Sequence, residues 1–416
     1  MRVESSEKIP IKMWLKEIED GALNQAKNLA NLPFAFKHIA IMPDSHQGYG
    51  MPIGGVMATK GVIIPNAVGV DIGCGMCAVK TSLTISDVNP YLKTIMSEIR
   101  KVIPVGKISH KEKQDEELMP RYNKVIGEWD KSELPGDGTK PYNYYISSHK
   151  IINEQYENAL KSLGTLGGGN HFIEIQKGND GHIWIMINSG SRNLGFKVAN
   201  HYNNLAKKLN KKWYSSINPK WDLAFLPINS DEGKNYIKEM NYCVEFALAN
   251  RKLMMDRVIS IFKKCIEHFG IMGYQYTDNG LINIAHNYAK MENHFGENVM
   301  VHRKGATLAS EKTIGIIPGS QGTKSYIVRG KGNKDSFNSC SHGAGRTMSR
   351  SKAEEELNLK NEIKILEDQG IIHSIRNKHD LDEAPSAYKD ISKVMDNQKD
   401  LVEVLVELSP LAVIKG

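Results

Sequence analysis

The sequence predicts an α+β fold in a single domain spanning residues 1–416, and three observations predict it. Short β-rich runs and one long helical pattern occupy separate stretches rather than alternating strictly. No internal repeat or low-complexity tract divides the chain. Residues with chemical potential are scattered from Asp44 to Lys415, so distant segments must converge if they build one site. One interwoven unit fits that better than two independent ones.

The elements follow in order. A short helical N-terminus precedes two apolar, β-rich runs, Ile39–Met42 and Val62–Val68, with glycine-rich segments between them. Residues 107–150 are polar, rich in Lys, Asp and Tyr, and aperiodic, and read as a surface excursion. Strand patterns return at His171–Gln176 and His182–Asn188. Ser230 and Asp231 are placed to cap a helix from about Glu232 to His268, with an apolar stripe through Tyr236, Met240, Val244, Leu248 and Val258, and Gly270 stops it. Short strands are expected at Leu281–Ala285, Val299–His302, Ile314–Ile317 and Ser325–Val328, then a helical segment at Ser351–Leu357 and an apolar end at Leu411–Ile414.

Composition narrows the class. Hydrophobic residues make up 40% and charged residues 24% of 416, the profile of a soluble globular protein. The formal net charge of +7 permits an anionic partner without demanding one. Five cysteines without framework spacing argue against a disulfide scaffold and for a reducing cytoplasm. Neither a signal peptide nor a membrane-spanning run is read.

Several loops carry chemistry. In Val70-Asp71-Ile72-Gly73-Cys74-Gly75 a carboxylate and a thiol lie three apart among glycines, a pair suited to zinc or manganese. A buried structural Cys, or a redox pair with Cys77, is the alternative. Gly167-Gly168-Gly169-Asn170-His171 offers backbone N–H groups to a phosphate before a strand, or is simply a tight hairpin. Asn188-Ser189-Gly190-Ser191-Arg192 ends an apolar strand in the manner of an anion-binding loop, and Ile284-Ala285-His286-Asn287 ends another in an imidazole that is more often a structural residue than a ligand. Pro318-Gly319-Ser320-Gln321-Gly322-Thr323-Lys324-Ser325 is not a Walker A loop, but its donors suit a nucleotide. Cys340-Ser341-His342-Gly343-Ala344-Gly345-Arg346 places an unshielded imidazole before Arg346 and Arg350, an arrangement suited to attack on phosphorus, with a further metal-binding His as the competing reading. Asp44-Ser45-His46 is a weaker acid/base candidate. Together these point to metal-assisted phosphoryl or nucleotidyl transfer on a polyanion.

The segments MPDSHQG, IIPNAVGVDIGCGM, LGTLGGGNHFIE, AHNYA, HFGENVMVHRKGA, GIIPGSQGTKSYIVRGKGN, SCSHGAGRTMSR, APSAYKDI and the terminal IKG resemble, in order, those of the RtcB family of RNA ligases. The resemblance covers about Met42 to Gly416. It implies a central, sandwich-like β-sheet core with helices around it and a cleft for metal and nucleotide. It also implies joining of 2′,3′-cyclic phosphate or 3′-phosphate RNA ends to 5′-hydroxyl ends, in RNA repair or tRNA splicing. GTP and two Mn²⁺ sites would serve a guanylyl-histidine pathway.

By motif, His342 matches the guanylylated nucleophile. Asp71, Cys74, His171 and His286 match metal ligands. Asn170, Glu174, Ser320, Ser325, Gly343, Ala344, Gly345, Tyr388 and Lys415 match contacts to the guanine nucleotide. Arg192, Arg346 and Arg350 match the surface that receives phosphate or RNA. Two places depart: the MPDSHQGYGMP loop differs from the family's commonest form, and Asn188 stands where the family usually has a metal-binding His, a neutral oxygen donor in place of an imidazole. These departures fit a divergent paralogue with one weakened metal site. The expected partners are broken RNA ends, such as tRNA or rRNA fragments, with no membrane and with any activator protein unidentified. A metal-dependent RNA-end phosphoesterase and an RNA-binding paralogue with impaired ligation are the alternative readings.

Overall fold

The computed structural model describes residues 1–120, 150–272 and 280–416. Two mixed or antiparallel sheets form its centre. The first has six strands in the order Arg2–Glu4, Ile11–Met13, Ala35–His46, Ile53–Thr59, Glu297–Lys304 and Asn287–His294. The second has seven, in the order Leu281–Ala285, Gly75–Lys80, Ile183–Ser189, Phe172–Gly178, Val402–Lys415, Ser325–Gly330 and Ile314–Ile317.

The period-2 alternation of each strand decides what its two faces meet. In the strand Ala35–His46, Ala40 and Met42 join Val56, Val301, Tyr326 and Val328 in an apolar cluster shared by both sheets. Ile39 and Ile41, on the other face, pack with Ala26, Leu29 and Ala30 of the helix Asp20–Ala30. In the second sheet Ile173, Ile175, Ile185 and Ile187 pack with Ile95, Ile99, Met254 and Val258. Those residues come from the helices Leu92–Val102 and Asp231–Cys265. The result is the expected α+β arrangement, a sheet core wrapped by helices.

Most of the expected strands are present, and Leu281–Ala285 and Ile314–Ile317 have the expected bounds. The long helix is capped by Ser230, whose side chain accepts from the Gly233 N–H. Val62–Val68 differs. Only Val62–Ile63 is a strand, and Pro65–Val68 is a helical turn with Pro at its start, where a missing N–H costs nothing. Leu411–Ile414 is the tail of a fourteen-residue strand, Val402–Lys415. The helices Lys150–Ser162 and Arg192–Lys212 were not among the expected elements, although Ile152, Tyr156 and Leu160, and Leu194, Val198 and Tyr202, recur at helical spacing. Residues 121–149 of the polar stretch 107–150 lie outside the described residues. Its first part is tied to the helix Lys150–Ser162, through Gln114 N–H to Leu160 O and Tyr156 Oη–H to Glu116.

Register brings the site together. Lys415 pairs with Phe172, Phe172 with Asn188, and Asn188 with Met76. Gly75 pairs with both Ser189 and Ala285. So Cys74, His171, Asn188, His286 and Lys415 all fall at one end of the second sheet. His286 is the single residue between Ala285 of the second sheet and Asn287 of the first.

Candidate active site

At that end of the sheet the donor atoms of Asp71, Cys74 and His171 all lie within 4.8 Å of one another. His171 Nε2 is 3.2 Å from Asp71 Oδ2 and 3.6 Å from Cys74 Sγ, and Asn188 Oδ1 is also 3.6 Å from that sulfur. His286 sits apart from the triad. Its backbone N–H donates to Cys74 O at 2.8 Å, and its ring meets the His342 ring edge-on at 4.8 Å between centroids. Nδ1 of both His171 and His286 is buried without a hydrogen-bond partner.

Electrostatics suits a cation here. Burial and the neighbouring Asp71 push the Cys74 thiol well up. Burial also works to raise Asp71, but its hydrogen bond and attraction to His171 hold it below the usual carboxylate range. Burial, helped by His342, Arg251 and His171, drives His286 well down, so its imidazole is neutral. A divalent ion would relieve the burial of thiolate and carboxylate together, and a mixed S, N and O donor set suits zinc or manganese.

Two neighbours in the long helix hold these loops. Asn250 Oδ1 accepts from the N–H groups of Gly164 and Thr165, while its Nδ2 donates to Thr165 O, Ser189 Oγ and Gly190 O. Arg251, fully buried, donates to Gly73 O and Ser189 O and to Asn283 Oδ1. One residue pair thus ties the Cys74 loop, the Asn188 strand end and the glycine loop to one helix.

His342 follows the short strand Ser339–Ser341, which pairs with Ala306–Leu308. Its Nδ1 is 2.6 Å from Oδ2 of Asp44, a carboxylate with 0% exposure. The same oxygen accepts the backbone N–H groups of His342 (3.1 Å) and Gly343 (3.3 Å). Burial would raise Asp44, but attraction and hydrogen bonding to His342 hold it below its ordinary value. Nε2 of His342 has no hydrogen-bond partner among the described residues. Gly345 lets the backbone close over Asp44. It has φ of 74°, and a Cβ there would lie 2.1 Å from Asp44 O.

A cavity of about 160 Å³ opens in front of His342. Of the residues expected to contact nucleotide, Asn170, Glu174, Ser320, Gly343, Ala344, Gly345, Tyr388 and Lys415 line it, together with Asn188, Arg346 and Arg350. Ser325 does not. It stands behind the wall, accepting Gly319 N–H at 3.1 Å and Gln176 Nε2–H at 3.0 Å. Glu174 is pushed up to about 8 by burial, against the pull of Lys415 and Gln176. Arg192 is not on the lining. It donates to Thr165 Oγ1 (2.9 Å) and Gly106 O (2.8 Å), bracing the glycine loop from behind.

Sequence reasoning missed Glu383, the hub of the far wall. It is 2% exposed and meets Arg350 Nε (2.8 Å), Arg346 Nη1 (3.2 Å), Lys415 Nζ (3.8 Å) and the Tyr388 hydroxyl. Burial works to raise it, but the three cations hold it below the usual range. Nothing in its sequence context marks it. Arg251 left a trace, a charged residue seven positions after Val244 on an otherwise apolar stripe. Asp44 was in view only as a weak candidate, because nothing local links it to His342, 298 residues away.

Comparisons with known proteins place the whole chain in one family. The family model described as tRNA-splicing ligase RtcB matches residues 25–416. An RNA-splicing ligase RtcB of Escherichia coli K12 is 39% identical over 99% of this chain and 98% of its own length. A tRNA-splicing ligase RtcB of Nanoarchaeum equitans is 34% identical over 100% and 95%, and one of Thermococcus kodakarensis 32% over 96% and 92%. With near-complete coverage in both directions, this chain belongs to the RtcB family.

Proposed function

We propose that this protein is a GTP- and Mn²⁺-dependent RNA ligase that joins 2′,3′-cyclic phosphate or 3′-phosphate RNA ends to 5′-hydroxyl ends through guanylylated His342. The observation that carries the reading is the Asp44–His342 pair at the mouth of the cavity. Asp44 occupies Nδ1 and leaves Nε2 for the substrate.

In the first step the Nε2 lone pair attacks the α-phosphorus of GTP, a P–N bond forms, and the bond to pyrophosphate breaks. The ring gains positive charge, which the Asp44 carboxylate stabilises at Nδ1–H. Lys415, Arg346 and Arg350 offset charge on the phosphate oxygens, and Glu383 keeps the three aligned. Glu174 and Asn170 line the cavity and would meet the base or ribose, and Phe172 gives an apolar wall. A cyclic end is first opened by water to a 3′-phosphate; an oxygen of that phosphate then takes GMP as the P–N bond breaks, and the 5′-hydroxyl displaces GMP, forming the phosphodiester.

Asp71, Cys74, His171, Asn188 and His286 would hold manganese, which supplies Lewis-acid polarisation of phosphate oxygens. Asn188 gives a neutral oxygen where an imidazole would bind more tightly, so one of two sites is weakened. The whole chain acts as one catalytic unit in the cytoplasm, on broken tRNA or rRNA. Five unpaired cysteines and the absence of any helix among the described residues long and apolar enough to cross a membrane support that setting.

The test is guanylylation. The protein is incubated with α-labelled GTP and Mn²⁺, beside His342→Ala and Asn188→His. Acid-labile label lost in His342→Ala is the expected result. Label in Asn188→His alone would mean that the ligand change blocks activation, and the phosphoesterase reading would then replace ligation.

A further inference from the structure

The helix Arg192–Lys212 begins at the candidate site and runs away from it with a one-signed charge. From Arg192 to Trp221 the sequence contains Lys197, Lys207, Lys208, Lys211, Lys212 and Lys220 and no Asp or Glu. At 3.6 residues per turn, Asn193, Lys197, Asn204, Lys208 and Lys211 fall on one stripe, with Lys212 at its edge. All six are exposed. The opposite face, Leu194, Val198, Tyr202 and Ala206, is buried in the core. Lys207 is paired with Asp222 at 2.5 Å, whereas Lys197, Lys208, Lys211 and Lys212 have no ion pair among the described residues.

Two further features point to nucleic acid. The stripe ends in exposed aromatics, Trp213 at 42% and Tyr214 at 94% exposure. Aromatic faces beside cations are what unpaired bases stack on. At its other end Arg192 braces the Gly167 loop, which leads into Asn170 on the cavity wall. From Asn193 to Lys212 the stripe spans about 28 Å at 1.5 Å per residue.

We propose that this stripe is the track along which the body of the RNA lies, feeding its broken end into the cavity. The proposal rests on the ligase reading above. Phosphates would be held by Lys197, Lys208, Lys211 and Lys212, while Trp213 and Tyr214 offer stacking at the far end. If Lys208, Lys211 and Lys212 each neutralise one phosphate of a single strand, the slope of log affinity against log salt carries about 2 units from them, and they contribute about 50-fold in affinity at physiological salt.

The experiment compares wild type with the triple variant Lys208→Gln, Lys211→Gln, Lys212→Gln. These exposed substitutions keep good helix formers. Fluorescence anisotropy is measured against salt for a twenty-nucleotide RNA with a 3′-phosphate and for a four-nucleotide one, which at roughly 3.4 Å per nucleotide cannot reach the distal lysines. Labelling of His342 by GTP without RNA is followed in parallel. The expected result is a loss of about 50-fold and a slope shallower by about 2 for the long RNA. The short RNA and His342 labelling should be unaffected. Unchanged affinity and slope for the long RNA would overturn the track. So would a loss confined to binding of phosphatidylserine vesicles, which would assign the stripe to a membrane surface. If wild-type His342 takes no label, the ligase reading falls on its own, and the anisotropy comparison still decides the stripe.

Discussion

Replacing Asp44 by Asn removes one negative charge behind His342 and almost no volume. In the wild type, Oδ2 accepts three hydrogen bonds, from His342 Nδ1 and from the N–H groups of His342 and Gly343, while Oδ1 is buried with no partner. An amide oxygen can take over the three bonds, but as a neutral acceptor. The amide NH₂ then lies where Oδ1 was, unsatisfied, at a cost of about 1–3 kcal/mol in stability. The effect on attack is larger. On the proposed pathway, the imidazolium formed at His342 would lose a charge-assisted partner worth about 3 kcal/mol, roughly 150-fold in rate. Loss of tautomer control can extend this to about 10⁴, as the analogous change does in serine hydrolase triads. The assay is single-turnover labelling of His342 by α-labelled GTP between pH 5 and 9, with thermal melts to confirm folding. Asp44 is held below its ordinary value of 3.8, so its contribution to stability is complete above that pH and is lost as pH falls through the folded value. The labelling deficit of Asp44→Asn should therefore persist across the whole range. Labelling within threefold of wild type at every pH would refute the pairing argument.

Three other outcomes are expected. Cys74→Ala should abolish tight Mn²⁺ binding in isothermal titration, since the sulfur lies 3.6 Å from both His171 Nε2 and Asn188 Oδ1; unchanged affinity would remove Cys74 from the ligand set. Glu174→Gln should be more stable relative to wild type as pH rises. The wild-type carboxyl, pushed up to about 8, keeps a proton in the folded state that the unfolded chain releases near 4.5, so wild-type stability falls across that window; parallel denaturation curves at pH 5 and pH 8 would contradict this. Asn250→Ala should cost about 3 kcal/mol by chemical denaturation, because it leaves buried loop groups at Gly164, Thr165 and Gly190 unpaired, and should weaken Mn²⁺ binding without touching a ligand; a wild-type metal affinity would show that the loops hold their own shape.

Much of the site was legible because its residues lie in glycine-rich loops at the ends of apolar strands, a pattern readable without tertiary information. His342 stood out because its neighbours Gly343, Ala344 and Gly345 have almost no side chains, and Asp71 and Cys74 because the pair lies three apart between glycines. The long helix was legible from its stripe and its Ser230 cap, and Leu281–Ala285 from an apolar run between breakers. Val62–Val68 misled because β-branched residues surround a proline whose helical turn is decided locally. Arg192–Lys212 was not read as a helix although Leu194, Val198, Tyr202 and Ala206 recur every four residues, because the Asn and Lys residues between them dilute the apolar stripe.

The residue types proposed for the chemistry, the loops that present them and the strands that carry those loops were thus determined by the sequence alone, since side-chain identity and local periodicity are short-range properties. Which residues meet was decided by the tertiary structure. Strand register brings Cys74, His171, Asn188 and Lys415 to one sheet end, and the crossing at His286 joins that end to the first sheet. The Asp44–His342 contact and the Glu383 hub are likewise long-range. No local pattern encodes such pairings, because a buried carboxylate is placed by the partner that compensates its desolvation, and that partner can come from anywhere in the chain.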